Sequence, residues 1–286
     1  MSYIQTLIDL ALTEDAAYED HTALATILDV QRGIARITAK AEGVLSGCAI
    51  AKQVFTTMDN NIQQIWFKDD SDTVKVGDVI VELTGSLRHL LAAERTALNF
   101  MQHLSGIATA THTFVEAVQG TDCAIADTRK TTPGLRLLEK KAVIHGGGTN
   151  HRMDLASGML IKENHIEASG SISEAINACF QHNEDIWVEV ECETFAQVKE
   201  AVALCPDIIL LDNMSPSQVS EARLLVPDSI LLEASGNIGL HNAHDYAQTG
   251  VNRIAIGAIT HSAPALDLSM RVEALKLNQA ANDEAA

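Results

Sequence analysis

The 286-residue chain reads as two unlike pieces, a small α+β domain followed by an incomplete parallel α/β barrel. Up to residue 105, short β-branched runs alternate with Gly and Asp turns, the period-two signature of strands. Beyond it, short apolar runs each end in a polar residue, and a helical stretch follows. From Lys162 those polar markers, at 162, 191, 212, 235 and 257, fall 29, 21, 23 and 22 residues apart, the length of one βα unit.

In the first piece, Ile34–Ala41, Gly43–Ile50, Ile62–Lys68 and Asp78–Thr84 are expected strands. The segment 74–80 is similar to the turn of a biotinyl or lipoyl hammerhead, yet no neighbouring hairpin tip offers a carrier lysine, so its role is structural. Leu87–Val118 should be mainly helical, with Leu90, Leu91, Ala97, Leu98 and Met101 on helical spacing and a break at Gly106. In the second piece, Cys123–Ala126, Met159–Ile161, Ile186–Val190, Ile208–Leu211, Ile230–Leu232 and Arg253–Ile256 are expected strands. Thr194–Leu204, Ser215–Val226 and His241–Thr249 have helical composition. A doubly wound sheet would need reactive groups only at its switch point. A polar residue at nearly every strand end favours a barrel, where all strand ends converge. Six units rather than eight make the barrel incomplete.

Composition narrows the partners. Acidic residues outnumber basic ones 38 to 20, for a formal charge of −18, which disfavours nucleic acid and anionic membranes. Residues 1–20 lack the basic-then-apolar pattern of a signal peptide, and no apolar run reaches the roughly 20 residues that span a bilayer. The five cysteines form no CxxC pair, which suits reduced thiols in the cytoplasm.

Within this acidic chain, residues 127–165 carry seven basic and four acidic side chains, a local charge of +3. Such an island suits an anionic ligand. It contains Gly146-Gly147-Gly148-Thr149-Asn150-His151-Arg152, where glycines let backbone amides approach a ligand and Arg152 offers a fork for carboxylate or phosphate. An ordinary flexible loop explains the glycines equally well. Ser235-Gly236-Asn237-Ile238 and Gly257-Ala258-Ile259-Thr260-His261 follow the last two strands, where many barrels bind phosphate. Glu191 and Asp212 end the two preceding strands and suit ribose hydroxyls or Mg2+ held through water.

Several longer motifs run in consistent order. They are Asp127-Thr128-Arg129-Lys130-Thr131-Thr132-Pro133-Gly134, the glycine loop at 146–152, Leu160-Ile161-Lys162-Glu163-Asn164-His165, Leu211-Asp212-Asn213-Met214, Glu233-Ala234-Ser235-Gly236-Asn237 and 257–267. With Glu94-Arg95-Thr96-Ala97-Leu98-Asn99 and 103–109, they resemble the quinolinate phosphoribosyltransferases over residues 10–275. The resemblance implies an N-terminal α/β sandwich over 1–107 and a TIM-like incomplete barrel over 108–267, with 268–286 packing back on the first domain. It implies phosphoribosyl transfer from phosphoribosyl pyrophosphate to quinolinate, with decarboxylation, in a Mg2+-dependent homodimer.

By the same resemblance, Arg129, Lys130, His151, Arg152 and Lys162 would line the pyridine dicarboxylate pocket, with Arg95 entering from the neighbouring subunit. Glu191 and Asp212 would handle ribose and Mg2+, and Ser235, Gly236, Asn237, Gly257 and His261 the sugar phosphate. Lys130, Lys162, Glu191 and Asp212 carry the catalytic expectation. Asn237 stands where many relatives have a second Gly, and Glu163 where many have Asp. A bland reading exists for each group. Arg129 and Lys130 suit a surface turn, Arg95 suits a pair with Glu94, and His145 and His165 suit structural roles. Glu191 is preferred to Glu189 and Glu193 for its place at the strand end. A molybdenum-linked relative shares the fold, but Lys162 favours quinolinate. A non-catalytic binder would be expected to lack the carboxylates.

Overall fold

The computed structural model describes residues 2–276, and the chain divides into two compact units, 1–109 with 263–286, and 110–262. Of the segment 268–286, residues 277–286 lie outside the described part.

The first unit begins with α1 (Tyr3–Glu14), a 3-10 turn at Ala17–Glu19 and α2 (His21–Thr26), whose first amides are capped by the Asp20 carboxylate. There follow β1 (Arg32–Ala39), β2 (Gly43–Val44), α3 (Cys48–Met58), β3 (Gln63–Trp66), β4 (Thr73–Val74) and β5 (Val79–Ser86). Gly33, Ala35, Ile37 and Ala39 on β1 are buried in strict alternation, which sets one apolar face of the sheet. The expected strand Gly43–Ile50 is mostly not one. Only its first two residues pair, with β4, and a left-handed turn at Gly47 (φ 95°) starts α3. Cys48, Ile50, Ala51, Val54, Phe55 and Met58 then bury one helical face, a periodicity that the short window concealed.

Helix α4 (Leu87–Ala117) is continuous, so the expected break at Gly106 does not occur. A Cβ there would stand 2.2 Å from the Pro264 carbonyl oxygen, so this glycine admits a close backbone approach.

In the second unit come β6 (Ala124–Ala126), α5 (Arg136–His145), β7 (Met159–Ile161), α6 (Glu163–Ser169), α7 (Ile172–His182) and β8 (Val188–Cys192). They are followed by α8 (Phe195–Val202), β9 (Ile208–Asp212), α9 (Pro216–Arg223), β10 (Leu231–Ser235), α10 (Ala243–Ala247), β11 (Arg253–Ala255) and α11 (Ala258–His261). Ser171, Thr194 and Ser215 cap α7, α8 and α9 through their side-chain oxygens. The last strand, β12 (Leu268–Ala274), returns to the first unit, where the antiparallel order is β12-β1-β5-β3.

The six strands of the second unit are all parallel, in the order β6-β11-β10-β9-β8-β7. The first and last strands pair, while β6 and β7, successive in the chain, form the two edges of a seam. Thr149 bridges the free edge of β6. Its amide donates to the Ile125 carbonyl at 2.8 Å, and its carbonyl accepts from the Asp127 amide at 3.1 Å. Strand alternation sends Val188, Val190, Ile209, Leu211, Leu232, Ala234 and Ile254 to the apolar layer. The other parity carries Glu189, Glu191, Leu210, Asp212, Glu233, Ser235, Arg253 and Ala255.

Candidate active site

Parallel strands place their C-terminal ends on one rim. Lys162 follows β7, Glu191 lies near the end of β8, Asp212 and Ser235 end β9 and β10, and Gly257 follows β11. A cavity of about 520 Å³ lies inside this rim. Its wall holds Arg129 and Lys130 after β6, then His151, Arg152, Lys162, Glu191, Asp212 and Ser235, and its floor includes Leu160, Leu210 and Ala255. The residues most often expected to act together are thus neighbours.

The cations are individually restrained. Arg152 Nη1 donates to the Gly158 carbonyl at 2.9 Å, and burial with the nearby Arg129 charge pulls its pKa down from the ordinary arginine value. Arg129 Nε is buried without a hydrogen-bond partner, a donor that an anion in the cavity would satisfy. The Lys130 carbonyl accepts from Thr260 Oγ1 at 2.8 Å, and a Cβ on Gly257 would lie 3.0 Å from Lys130 Cδ. Lys162 forms a close ion pair with Glu191, while its amide donates to His165 Nδ1 at 2.9 Å. His165 therefore supports Lys162 from behind.

The carboxylate side is equally built. Burial raises the Asp212 pKa, as does the Glu191 charge, with Lys162 opposing both. Asn213 Nδ2 donates to Asp212 Oδ2 at 2.6 Å, and Asn237 Nδ2 donates to Asn213 Oδ1 at 2.9 Å. Gly236 has φ 90°, and a Cβ would fall 2.3 Å from Asn213 Oδ1, so only glycine fits. Asn237 follows at φ 54°, a left-handed conformation that asparagine tolerates. His261 is exposed on α11, its Nδ1 2.6 Å from Ser262 Oγ. Arg95 is exposed on α4 in the first unit.

Two buried networks underlie the wall. In the first, Lys140 Nζ donates to Asp127 Oδ1 and, at 2.9 Å, to the His151 carbonyl. The His151 amide donates to Asp127 Oδ1 at 2.8 Å, and Asn150 Nδ2 donates to Asp127 Oδ2 at 2.6 Å. In the second, His151 Nε2 lies 2.8 Å from Glu189 Oε2 and 3.7 Å from Glu233 Oε1. Arg253 pairs closely with Glu233 and stands 3.5 Å from Glu189. Both carboxylates have 0% exposure, and burial with the Glu189 charge pushes the Glu233 pKa up to about 8.

Two expectations change. The amides of Gly146, Gly147, Gly148 and Thr149 donate to the carbonyls of Ala142, Ile144, Val143 and Ile125, so this loop closes α5 and joins β6 rather than cradling a ligand. A Cβ on Gly148 would meet Thr111, Val143 and the Ile125 carbonyl within 3.2 Å, which explains the glycine by packing. Lys140, part of the basic island, faces Asp127 and not the cavity. His151 lines the cavity as expected, its two ring nitrogens turned to Glu189 and the Arg152 amide. Reading strand ends alone missed Glu189, Glu233 and Arg253. Their signal is a charge within an otherwise apolar buried strand, which demands an internal partner.

Comparison with known proteins gives one consistent result. The family model for the quinolinate phosphoribosyl transferase N-terminal domain matches residues 20–105, and that for the C-terminal domain matches 107–271. The probable nicotinate-nucleotide pyrophosphorylase [carboxylating] of Bacillus subtilis (strain 168) is 44% identical over 270 residues, covering 94% of this chain and 93% of that protein. The crystal structure of NadC from Streptococcus pyogenes aligns with a TM-score of 0.92 at 40% identity, covering 96% of this chain and 97% of that one. The nicotinate-nucleotide pyrophosphorylase from Francisella tularensis aligns with a TM-score of 0.92 at 39% identity, covering 95% and 96%.

Proposed function

The chain belongs to the quinolinate phosphoribosyltransferase family, and from that premise we propose how its own residues divide the work. The reaction is phosphoribosyl transfer from phosphoribosyl pyrophosphate to quinolinate with decarboxylation, giving nicotinate mononucleotide, pyrophosphate and CO2 for NAD biosynthesis. The observation that carries the division is the convergence of Arg129, Lys130, Arg152 and Lys162 with Glu191 and Asp212 on one cavity, Lys162 being paired with Glu191.

Arg129, Arg152, Lys130 and Lys162 hold the two quinolinate carboxylates and aim the ring nitrogen at the anomeric carbon. Fixing both anions in one cavity turns a bimolecular step into a nearly unimolecular one. Glu191 and Asp212 face the ribose as oxocarbenium-like charge develops. Ser235, Gly236, Asn237, Gly257 and His261 receive the sugar phosphate. The ribosylated ring is cationic and draws in the electrons left by the departing CO2.

The donor set also fits Mg2+. Two neighbouring carboxylates with a raised Asp212 pKa form a hard, oxygen-rich site whose repulsion a divalent cation relieves. Held by Glu191 and Asp212, Mg2+ would supply charge neutralisation for the leaving pyrophosphate. The chain acts as a homodimer in which Arg95 of the partner subunit completes the dicarboxylate pocket. Its place is the cytoplasm. Among the described residues no helix is long and apolar enough to cross a membrane.

The deciding experiment incubates the protein with quinolinate, phosphoribosyl pyrophosphate and Mg2+, following nicotinate mononucleotide and CO2 together, with nicotinate replacing quinolinate in parallel. Equal yields of both products, and none from nicotinate, are expected. Equal turnover of nicotinate would remove the second carboxylate from the reading.

A further inference from the structure

Glu189, Glu233 and Arg253 lie beneath the reactive rim, on β8, β10 and β11, with no exposure for either carboxylate. Glu233 and Arg253 are register partners on adjacent strands, and Arg253 approaches both acids. Buried charges in a barrel interior need a reason, because apolar residues of similar volume would be as stable or more so. The acids and His151 have the ligand types for a metal and stand close enough together. Arg253, however, already stands as the cation between the two carboxylates, paired with Glu233, although both Glu189 oxygens, Glu233 Oε1 and Arg253 Nη2 have no hydrogen-bond partner.

Two members of the cluster line the cavity, His151 and Glu233, and of these His151 adjoins Arg152. The Arg152 amide donates to His151 Nδ1 at 2.8 Å, which makes Nδ1 an acceptor and leaves the ring hydrogen on Nε2. That nitrogen faces Glu189 Oε2 at 2.8 Å. The ring is thus fixed at Nδ1 by the Arg152 backbone, while its Nε2 lies against Glu189, whose oxygens make no hydrogen bond. Trp187 meets the imidazole edge-on, with ring centroids 6.0 Å apart. The same Trp187 packs against the bare Cα of Gly158, whose carbonyl holds the Arg152 guanidinium. The Nδ1 and Trp187 contacts of the imidazole therefore both lead to Arg152.

We propose that Glu189, Glu233 and Arg253 are positioning residues, a buried acid–arginine platform that orients His151 and through it Arg152, and so sets affinity for the anionic pyridine substrate. The proposal rests on the assignment of Arg152 to a quinolinate carboxylate. In this arrangement Arg253 Nε holds Glu233 while its Nη2 stands 3.5 Å from Glu189 and attracts that acid electrostatically, a placement of two nitrogens that lysine cannot reproduce with one point charge. His151 transmits orientation and needs no contact of its own with the ligand.

The test is a double-mutant cycle read in KM for each substrate. Glu189→Gln should raise KM for quinolinate about tenfold while KM for phosphoribosyl pyrophosphate stays within about twofold. His151→Asn keeps an acceptor near the Nδ1 position and deletes the Nε2 end, so in that background Glu189→Gln should change KM for quinolinate no further. If Glu189→Gln does not fold, Arg253→Lys enters the same cycle with the same expectation. Additive effects in the two backgrounds, or parallel loss of affinity for both substrates, would overturn the proposal. Arg152→Ala is the control. A normal KM for quinolinate there would strike the assignment of Arg152, and the proposal with it, whereas a raised KM with a silent Glu189→Gln would sink the platform alone.

Discussion

Lys140 Nζ lies 2.5 Å from Asp127 Oδ1, and neither side chain is exposed to solvent. Burial lowers the Lys140 pKa and raises that of Asp127, and the charge of each partner opposes the other's shift. The pair also grips the backbone of His151 from both sides. Lys140→Met should therefore cost about 3–5 kcal/mol in urea unfolding, because it strands Asp127 in the interior. Adding Asp127→Asn should recover part of that loss. A change below about 1 kcal/mol for the single variant would show that the carboxylate finds water or another partner.

Gly158→Ala should damage both stability and substrate affinity. The new Cβ would stand 2.1 Å from Trp187 Cζ2, and the Gly158 carbonyl anchors Arg152. Overpacking of this kind costs about 1–3 kcal/mol. Thermal unfolding and KM for quinolinate measure the two effects, and an unchanged KM would mean that Arg152 does not depend on that carbonyl.

Mixing Arg95→Ala subunits with Lys130→Ala subunits should restore activity that neither variant has alone. Each heterodimer then holds one site free of both substitutions if Arg95 acts across the interface. Tagged, verified heterodimers without recovery would confine Arg95 to its own chain.

The raised Glu233 pKa makes a pH prediction. Between pH 4.5 and about 8 the folded protein keeps a proton that the unfolded chain has released. Glu233 thus lends stability below pH 4.5 and withdraws it as the pH climbs through about 8. Subtracting the urea-unfolding profile of Glu233→Gln from that of the natural chain should leave a fall across this window. A flat difference would mean that Arg253 keeps Glu233 ionised throughout.

Removing divalent cations with a chelator should abolish turnover, and Mg2+ should restore it. Asp212→Asn should raise the Mg2+ concentration needed for half-maximal rate. Full turnover in chelator would take the metal out of the reading of Glu191 and Asp212.

The rim was legible because a parallel strand buried on both faces reads as an apolar run, and the first polar residue after it marks the strand's end. Lys162, Asp212, Ser235 and Gly257 were found in that way. The layer below was not legible. In Val188-Glu189-Val190-Glu191-Cys192, alternation looks like a strand with one wet face, whereas Glu189 is fully buried and meets Arg253 and His151 from distant parts of the chain. Glycines misled twice for one reason. Gly106 and Gly148 were read as conformational freedom, and each instead leaves room for a neighbouring backbone. Such proximity has no local signature.

The strand orders bear on the timetable of folding. In the second unit β6 waits for β11, and in the first β1 waits for β12. During synthesis β7 to β10 can zip successively from near neighbours, while β6 and β1 each keep an edge exposed until almost the whole chain has emerged. Such long-range closure is slow, and unpaired edges invite association with other chains. Loss of the final strand would leave β1 with that edge permanently open, so a premature stop near the C-terminus would yield an aggregating protein rather than a merely shortened one.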